Sequence, residues 1–449
     1  MCFPTRSALV VALIVCFVAP AALIVAHIHE NPEFSPIDEA AHWDYVTRLA
    51  NGGFPRLGQR LQGSTLRALS CRKTALPNLL TPPCKQRILK PDEFGGGGYQ
   101  YEAQQPPVYY AVTVPMRWVA MNLFRMGDVD GTRATGIVWL CAGLFVMWIA
   151  GRLVELRPAA IGAVVFLIGS APLVVYEASS VTNGAASILA GSSLFLLAAL
   201  AWRHPGRWTV PVLAIGAFVA VGMAEPNILA VLVASAMFGA FVTRRNDASM
   251  PGETTPVRTF LGAWWPAGGA LLIGALASAV AWIAVSRNLA IINPKILPAF
   301  GILRTAPRGL GEIFREAVTM LGPVTDSYNV YRPTITSNNS NVEPVINEML
   351  RTLLLAGALA GLFVHRRLWY HWIGFVSVAT LYVGGVVLGV VLWLTYDIDP
   401  SLTGRYGLSV APFLALGLVA AIRGRWVLPG LWVVSVVTFA TTLWYTLVG

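Results

Sequence analysis

Acidic and imidazole side chains are concentrated directly after the first hydrophobic segment, in the sequence SPIDEAAHW at residues 35–43. Charged groups beside a bilayer are costly and often mark functional sites. A carboxylate here is a candidate general base, because partial desolvation and a like-charged neighbour both raise its pKa towards neutrality. We therefore consider Asp38, Glu39 and His42 as candidate catalytic residues.

The same segment also fits the start of a helix. Ser35 would be the N-cap, Pro36 the first helical residue and Asp38 an acid at the third position, where it favours the helix dipole. Capping accounts for Asp38 alone. It does not account for Glu39 and His42 beside it, so chemistry is the favoured interpretation.

Transfer chemistry with a phosphate leaving group needs a cationic partner, and arginine binds phosphate through two parallel hydrogen bonds. Arg405, in the sequence Gly404-Arg405-Tyr406, is the candidate. Gly404 would allow close backbone approach, and Tyr406 would lie at the level of the lipid headgroups. The structural alternative is an interfacial anchor made of arginine and tyrosine.

Other polar residues are weaker candidates. Glu102 and Gln105 lie in the sequence YQYEAQQPPVYY at residues 99–110, and both could face a sugar, although two prolines at a helix start are first a structural device. Asn183 could point into the same cavity as these candidates, or it could cap the following helix. The acids of residues 128–130 resemble a D-x-D metal motif, but a turn before a helix is favoured. A divalent metal is allowed by the sequence and not required by it.

The composition is that of an integral membrane protein. Of 449 residues, 56% are hydrophobic and 12% are charged, and the mean hydropathy is +0.63. Apolar runs of ~20 residues can cross the hydrocarbon core, where the backbone must be helical. The net charge of +10 comes largely with arginines in short loops, which membrane insertion favours. We expect membrane lipids as partners and no nucleic acid.

We predict an all-α polytopic bundle of about eleven transmembrane helices, forming a single membrane domain over residues 1–449. The predicted spans are 7–26, 134–150, 159–176, 184–202, 208–223, 227–242, 260–286, 346–364, 370–394, 406–422 and 427–447. The first is interpreted as an uncleaved signal anchor, with a signal peptide as the alternative. Segment 108–124 contains Pro115 and Arg117, and counting it as a span would reverse the arginine bias of every later loop. We therefore predict a juxtamembrane helix there.

Two large loops, residues 27–132 and 287–345, then lie on the outer face, where short helices are expected to cap the bundle. Within the first loop, residues 56–90 contain eight basic residues and no acid. This segment is either a solvated surface or a binding site for a phosphate-bearing lipid or an anionic polymer. The glycine run at residues 95–98 is either a flexible hinge or a mobile lid, or else a featureless linker.

Two of the five cysteines, Cys71 and Cys84, share the first outer loop. They could form a local disulfide if that loop faces an oxidising compartment. The alternative is two free thiols.

Three segments together resemble the GT-C superfamily of membrane glycosyltransferases. Residues 36–42 look like the P-x-D-E-x-x-H of bacterial glycosyltransferase-39-like proteins, residues 105–110 like their H-P-P-L-Y-Y segment, and residues 404–406 like a G-R-Y found in a related family. The chain departs from the pattern at Gln105, which replaces a histidine, and at Asn183, where relatives often carry an aspartate.

The resemblance implies a GT-C-like bundle and transfer of a sugar from a polyprenyl-phosphate donor to a glycan or lipid acceptor of the cell envelope, with inversion. Asp38 would be the base, Glu39 would assist or bind a metal, and Arg405 would bind the lipid phosphate. The enzyme would lie in the inner (cytoplasmic) membrane, with its active site on the periplasmic or extracellular face. A non-catalytic lipid-linked glycan transporter or an assembly scaffold is the alternative, although acids and bases in mid-span are nearly absent.

Overall fold

The computed structural model describes residues 6–36, 38–74, 81–247, 265–291, 310–325, 342–364, 370–396, 403–422 and 426–448. Over these ranges the regular structure is helical. The helices are α1 (Arg6–Leu13), α2 (Ala19–Glu30), α3 (Glu39–Ala50), α4 (Gly63–Arg72), α5 (Val108–Leu123), α6 (Asp128–Leu153), α7 (Pro158–Ser170), α8 (Pro172–Ser179), α9 (Ser187–Arg203), α10 (Thr209–Met223), α11 (Ile228–Asp247), α12 (Ala270–Leu289), α13 (Leu310–Ala317), α14 (Val342–Val364), α15 (Tyr370–Tyr396), α16 (Ala411–Ala421) and α17 (Val427–Val448).

Seven helices within the described ranges are long and apolar enough to cross a membrane, or eight if the bent pair α7–α8 is counted as one span. They are Ala8–Glu30, Asp128–Leu153, Asn183–Arg203, Trp265–Leu289, Ile373–Val390, Gly404–Ala421 and Val427–Val448. The prediction of an all-α polytopic membrane protein is confirmed. The count of eleven is not confirmed. Two of the predicted spans correspond to the shorter apolar helices Thr209–Met223 and Glu225–Gly239, and the predicted span 346–364 is not among the seven or eight.

One predicted span is broken. Helices α7 and α8 meet at an angle of 59° at Ala171 and Pro172. Proline has no N–H for the helix ladder, and it forces the preceding residue out of the helical region, as the φ of −64° and ψ of 133° at Ala171 show. The break makes α8 a separate short helix that ends beside the first outer loop.

Helix α5 has 16 residues, fewer than the ~20 needed to cross the hydrocarbon core. Its exposed apolar side chains include Trp118 and Leu123, and Phe124 follows them. Arg117 points the other way and pairs with Asp128 at the start of α6, with 2.7 Å between Nε and Oδ1. The location of α5 in the membrane interface stays a prediction. It is favoured by the separation of the exposed apolar side chains from the paired Arg117 on the other side of the helix.

Two apolar cores hold the molecule together. The larger joins α2, α6, α7, α9, α11 and α16, and the smaller lies under the first outer loop around Phe34, Tyr45, Tyr110 and Trp139. Helices approach closely where glycine removes the side chain. A Cβ at Gly191 of α9, for example, would overlap the carbonyl of Ser409.

The first outer loop is tied together by polar contacts centred on Asp44, whose carboxylate is buried. It accepts hydrogen bonds from Thr65 at 2.6 Å, from Gln100 at 2.9 Å and from the N–H of Gln62 at 2.8 Å, and it pairs with Arg48 at 2.5 Å. A disulfide joins Cys71 and Cys84. The bounds 27–132 and 287–345 of the two outer loops stay predictions, and much of the second loop lies outside the described residues.

Candidate functional site

Asp38 lies just before α3, in a left-handed backbone conformation with φ 59° and ψ 0°. Its side chain makes no capping hydrogen bond to the helix. The predicted helix start at Pro36 is therefore wrong, and Ile37 lies outside the described residues. The reason is that the Glu39 carboxylate accepts the N–H of Ser35 at 2.7 Å and so holds the turn itself. Residues in this conformation are uncommon outside glycine and cluster at functional sites.

Arg405 faces Asp38 from the far end of the sequence. Its Nη2 lies 3.8 Å from Oδ2 of Asp38, and the two side chains are 20% and 32% exposed. Arg405 lies in a 3₁₀ helix, Gly404–Val410, that leads into α16. The guanidinium also lies over the ring of Tyr406, 5.2 Å from its centroid. The structure thus brings Asp38, Arg405 and Tyr406 into one site.

Gly404 is required by packing of the chain against itself. A Cβ at this position would overlap the carbonyl oxygens of Gly322 and Thr325. The close backbone approach expected from the sequence is therefore made to residues 322–325, and it fixes the turn that carries Arg405.

Opposing effects act on the Asp38 carboxyl. Desolvation raises its pKa, while the guanidinium of Arg405 and a hydrogen bond from the Tyr101 hydroxyl offset part of the rise. The net result is a pKa above the ordinary value for aspartate. A carboxylate of raised pKa is a better proton acceptor, which suits a general base.

Glu39 has a structural role. Its side chain is fully buried, and its oxygens accept from Arg133 at 2.7 Å and 2.8 Å, from the N–H of Val181 at 3.0 Å and from the N–H of Ser35. Both oxygens are doubly engaged, which leaves no lone pair for a proton or a metal. This corrects the expectation that Glu39 assists in catalysis.

His42 is a buried, neutral histidine. Its Nδ1 lies 2.7 Å from the hydroxyl of Tyr110, and its Nε2 lies 3.7 Å from Oε2 of Glu102. Burial lowers the pKa of His42 to about 3, with a smaller contribution from the positive charge of Arg405. His42 is therefore uncharged at neutral pH, and it stands beside Glu102 and not beside Asp38.

Glu102 is buried near both Asp38 and Arg405. Its side chain is 5% exposed, and within the described part of the chain Oε2 has no hydrogen-bond partner. Burial raises the pKa of Glu102 well above its usual range, the charge of Asp38 adds to the rise, and Arg405 opposes it.

The glycine run before Glu102 is an ordered turn. Gly96, Gly97 and Gly98 have φ values of 63°, 64° and 61°, which favour glycine. The Arg60 guanidinium binds the carbonyl of Gly97 and lies 3.6 Å from the centroid of the Tyr99 ring. The hinge, lid and linker interpretations of this segment stay predictions, and the turn leads directly into residues 101–105.

The two positions that depart from the GT-C motifs are in contact. Oε1 of Gln105 accepts a hydrogen bond of 2.9 Å from Nδ2 of Asn183. The contact joins the loop before α5 to the 3₁₀ turn, Asn183–Ala186, that opens the span of α9. Gln105 and Asn183 therefore bind each other at the edge of the site.

Two further residues of the site were not among the sequence candidates. Tyr101 donates to Asp38, and Glu177 of α8 is buried at 2% exposure. The Thr182 hydroxyl donates to Oε2 of Glu177 at 2.5 Å, whereas Oε1 has no hydrogen-bond partner among the described residues. Arg405 interacts electrostatically with Glu177. The sequence signal for Glu177 was Pro172, which breaks the span five residues earlier.

The remaining acidic and basic candidates are engaged elsewhere. Asp128 pairs with Arg117, and Asp130 forms a two-bond pair with Arg72 at 2.7 Å for each bond, so the D-x-D acids are helix-start ion pairs. In the described ranges no three His, Cys, Asp or Glu side chains are grouped as metal ligands. Within residues 56–90, Arg67 donates to the carbonyls of Cys84, Gln86 and Arg87, which shows that part of the basic segment is structural.

Comparison with solved structures finds eight matching chains. The chain is similar to ArnT from Cupriavidus metallidurans, whose crystal structure holds undecaprenyl phosphate, with 14% identity, coverage of 91% of this chain and 77% of that one, and a TM-score of 0.30. No family model and no curated protein matches the chain. At this TM-score, function has to be argued from the side chains of the site.

Proposed function

We propose that this membrane protein is a glycosyltransferase that moves a sugar from a polyprenyl-phosphate-linked donor to a glycan or lipid acceptor of the cell envelope. The observation that carries the proposal is the pairing of Asp38 with Arg405 across 3.8 Å. It joins a carboxylate of raised pKa to a guanidinium, which are the two groups that glycosyl transfer from a lipid phosphate needs.

The reaction follows from the two groups. Asp38 takes the proton of an acceptor hydroxyl, and the acceptor oxygen forms a bond to the anomeric carbon of the sugar. The bond between that carbon and the phosphate oxygen breaks, and its electron pair leaves with the polyprenyl phosphate. Arg405 stabilises the charge that develops on the phosphate. One displacement at carbon inverts the anomeric configuration.

The partial exposure of both side chains supports this assignment. Asp38 is 32% and Arg405 is 20% exposed on their side chains, so a substrate can reach them, whereas Glu39 and His42 are enclosed. The arginine is placed by the turn of residues 404–410 and the aspartate by the turn before α3.

The non-catalytic alternatives require a different distribution of polar groups. A transporter needs ionisable residues along a path through the bundle. In the described part of the chain, the buried acids around Arg405 are collected near Asp38 and the ends of α8 and α9. This placement favours chemistry at one membrane surface. The inner membrane and a site on its periplasmic or extracellular face belong to the same proposal.

The test is sugar transfer by the purified protein in nanodiscs with radiolabelled polyprenyl-phosphate sugars and an extract of cell-envelope acceptors. Asp38→Asn is expected to abolish transfer while donor binding and the melting temperature are preserved. Glu155→Gln is the matched control, because Glu155 is exposed and pairs with Arg203 in the loop after α6, at the far end of that helix from Asp128. Full activity of Asp38→Asn, or donor binding without any turnover in the wild type, would contradict the proposal.

A further inference from the structure

The charge around Arg405 is unbalanced. Three carboxyl groups interact electrostatically with this one guanidinium, those of Asp38, Glu102 and Glu177. If Arg405 binds the donor phosphate, as the proposed function requires, the sugar attached to that phosphate lies among the three carboxyls. The inference below rests on that function.

Two of these carboxyls present an oxygen that has no hydrogen-bond partner in the described chain. They are Oε2 of Glu102 and Oε1 of Glu177, and both atoms are buried. Buried polar atoms in proteins are nearly always hydrogen-bonded, so each such exception needs an explanation. One such explanation is that the group is positioned to bind a substrate.

The protein holds the Glu177 carboxyl and the backbone of Glu102 in place. Thr182 binds the second oxygen of Glu177, and a Cβ at Gly184 would overlap that same oxygen, so only glycine fits beside it. The Glu102 side chain is buried, and the N–H of Glu102 donates to the side-chain oxygen of Gln100 at 3.1 Å.

We propose that the transferred sugar has no acidic group and that its hydroxyls bind to Glu102 and Glu177. Hydroxyl groups supply the donors that the two carboxyl oxygens lack. A sugar carboxylate in the same position would lie against three carboxyl groups. The guanidinium of Arg405, which could balance its charge, would already be bound to the phosphate. Such like-charge contacts suppress binding of the wrong partner.

The experiment compares lipids that differ only at carbon 6 of the sugar. Three pairs of polyprenyl-phosphate sugars are titrated onto the wild-type protein in nanodiscs, with bare polyprenyl phosphate as the reference. The pairs are glucose and glucuronate, galactose and galacturonate, and mannose and mannuronate. Affinities are read by native mass spectrometry. We expect the neutral member of at least one pair to bind at least ~10-fold more tightly than its acidic partner, and no pair to show the reverse.

Two isosteric variants assign the effect to the carboxyls. Glu177→Gln and Glu102→Gln are expected to reduce the difference in affinity between the neutral and the acidic lipid of a pair. Bare polyprenyl phosphate is expected to bind as tightly as before or more tightly, because each change reduces negative charge near Arg405. Glu155→Gln is the control and should leave every affinity unchanged. Loss of a merely structural carboxyl would weaken all lipids alike.

The results separate the two proposals. Equal binding of neutral and acidic sugars, or an unchanged difference in both variants, overturns the inference and leaves the proposed function standing. Failure of all lipids to bind, bare polyprenyl phosphate included, overturns the proposed function and the inference with it.

Discussion

The guanidinium of Arg405 lies 3.8 Å from the carboxylate of Asp38, although the two residues belong to opposite ends of the chain. Asp38 stands in a left-handed turn before α3, and Arg405 stands in a 3₁₀ turn before α16. Each turn is held by its own local contacts. The packing of the helices brings the two turns together. The relationship makes a base and a phosphate ligand available to one substrate.

The first prediction concerns the arginine. Arg405→Lys keeps the charge but loses the two-bond geometry, and Arg405→Gln loses both. We expect polyprenyl phosphate to bind at least ~10-fold more weakly to the glutamine variant, with the lysine variant in between. Titration in nanodiscs measures this, and Arg203→Gln, an exposed arginine paired with Glu155, is the control. Unchanged affinity in Arg405→Gln would remove the phosphate site.

The second prediction concerns pH. Because Asp38 must be deprotonated to act as base, the transfer rate falls as the pH drops through its pKa. The hydrogen bond from Tyr101 lowers that pKa. Tyr101→Phe therefore raises it, and the acid limb of the pH–rate profile shifts to higher pH. Tyr99→Phe is the control, since its ring still stacks under Arg60. An unshifted or oppositely shifted limb would contradict this role for Tyr101.

The third prediction separates Glu39 from catalysis. Glu39→Gln removes one charge of a buried pair and leaves Arg133 with only its longer contact to Asp130, at 3.9 Å. Breaking a buried pair in this way costs about 3–5 kcal/mol of stability in typical cases. Chemical unfolding in detergent micelles should show this loss, with Glu30→Gln on the exposed end of α2 as the control. A variant of unchanged stability that has lost activity would restore Glu39 to the catalytic residues.

The fourth prediction concerns the turn before Glu102. Gly98→Ala forces a Cβ into a left-handed residue and to within 2.7 Å of the carbonyl of Pro91. We expect a cost of about 1–3 kcal/mol and faster amide exchange over residues 91–105. Gly63→Ala is the control, because a Cβ there meets no atom within 4 Å. Equal exchange in the two variants would show that the turn does not need glycine.

The sequence supports some of the site and misleads about the rest. It indicates Asp38, Glu102 and Arg405, because each lies in a short polar motif beside a predicted helix and has a side chain suited to proton transfer or phosphate binding. It also indicates a chemical role for Glu39 and His42, which the structure places in a buried ion pair and against Tyr110. A residue's type shows what it can do, and only its partners show whether its lone pairs are already used.

What the sequence alone determined is local. Hydropathy determined the membrane class and most helices, since apolar runs in lipid must be helical. A disulfide between two cysteines 13 residues apart could only close a short loop. The tertiary structure decided which acid binds Arg133 and which acids face Arg405. These outcomes depend on contacts between residues far apart in the chain. Their distances arise only when the helices pack.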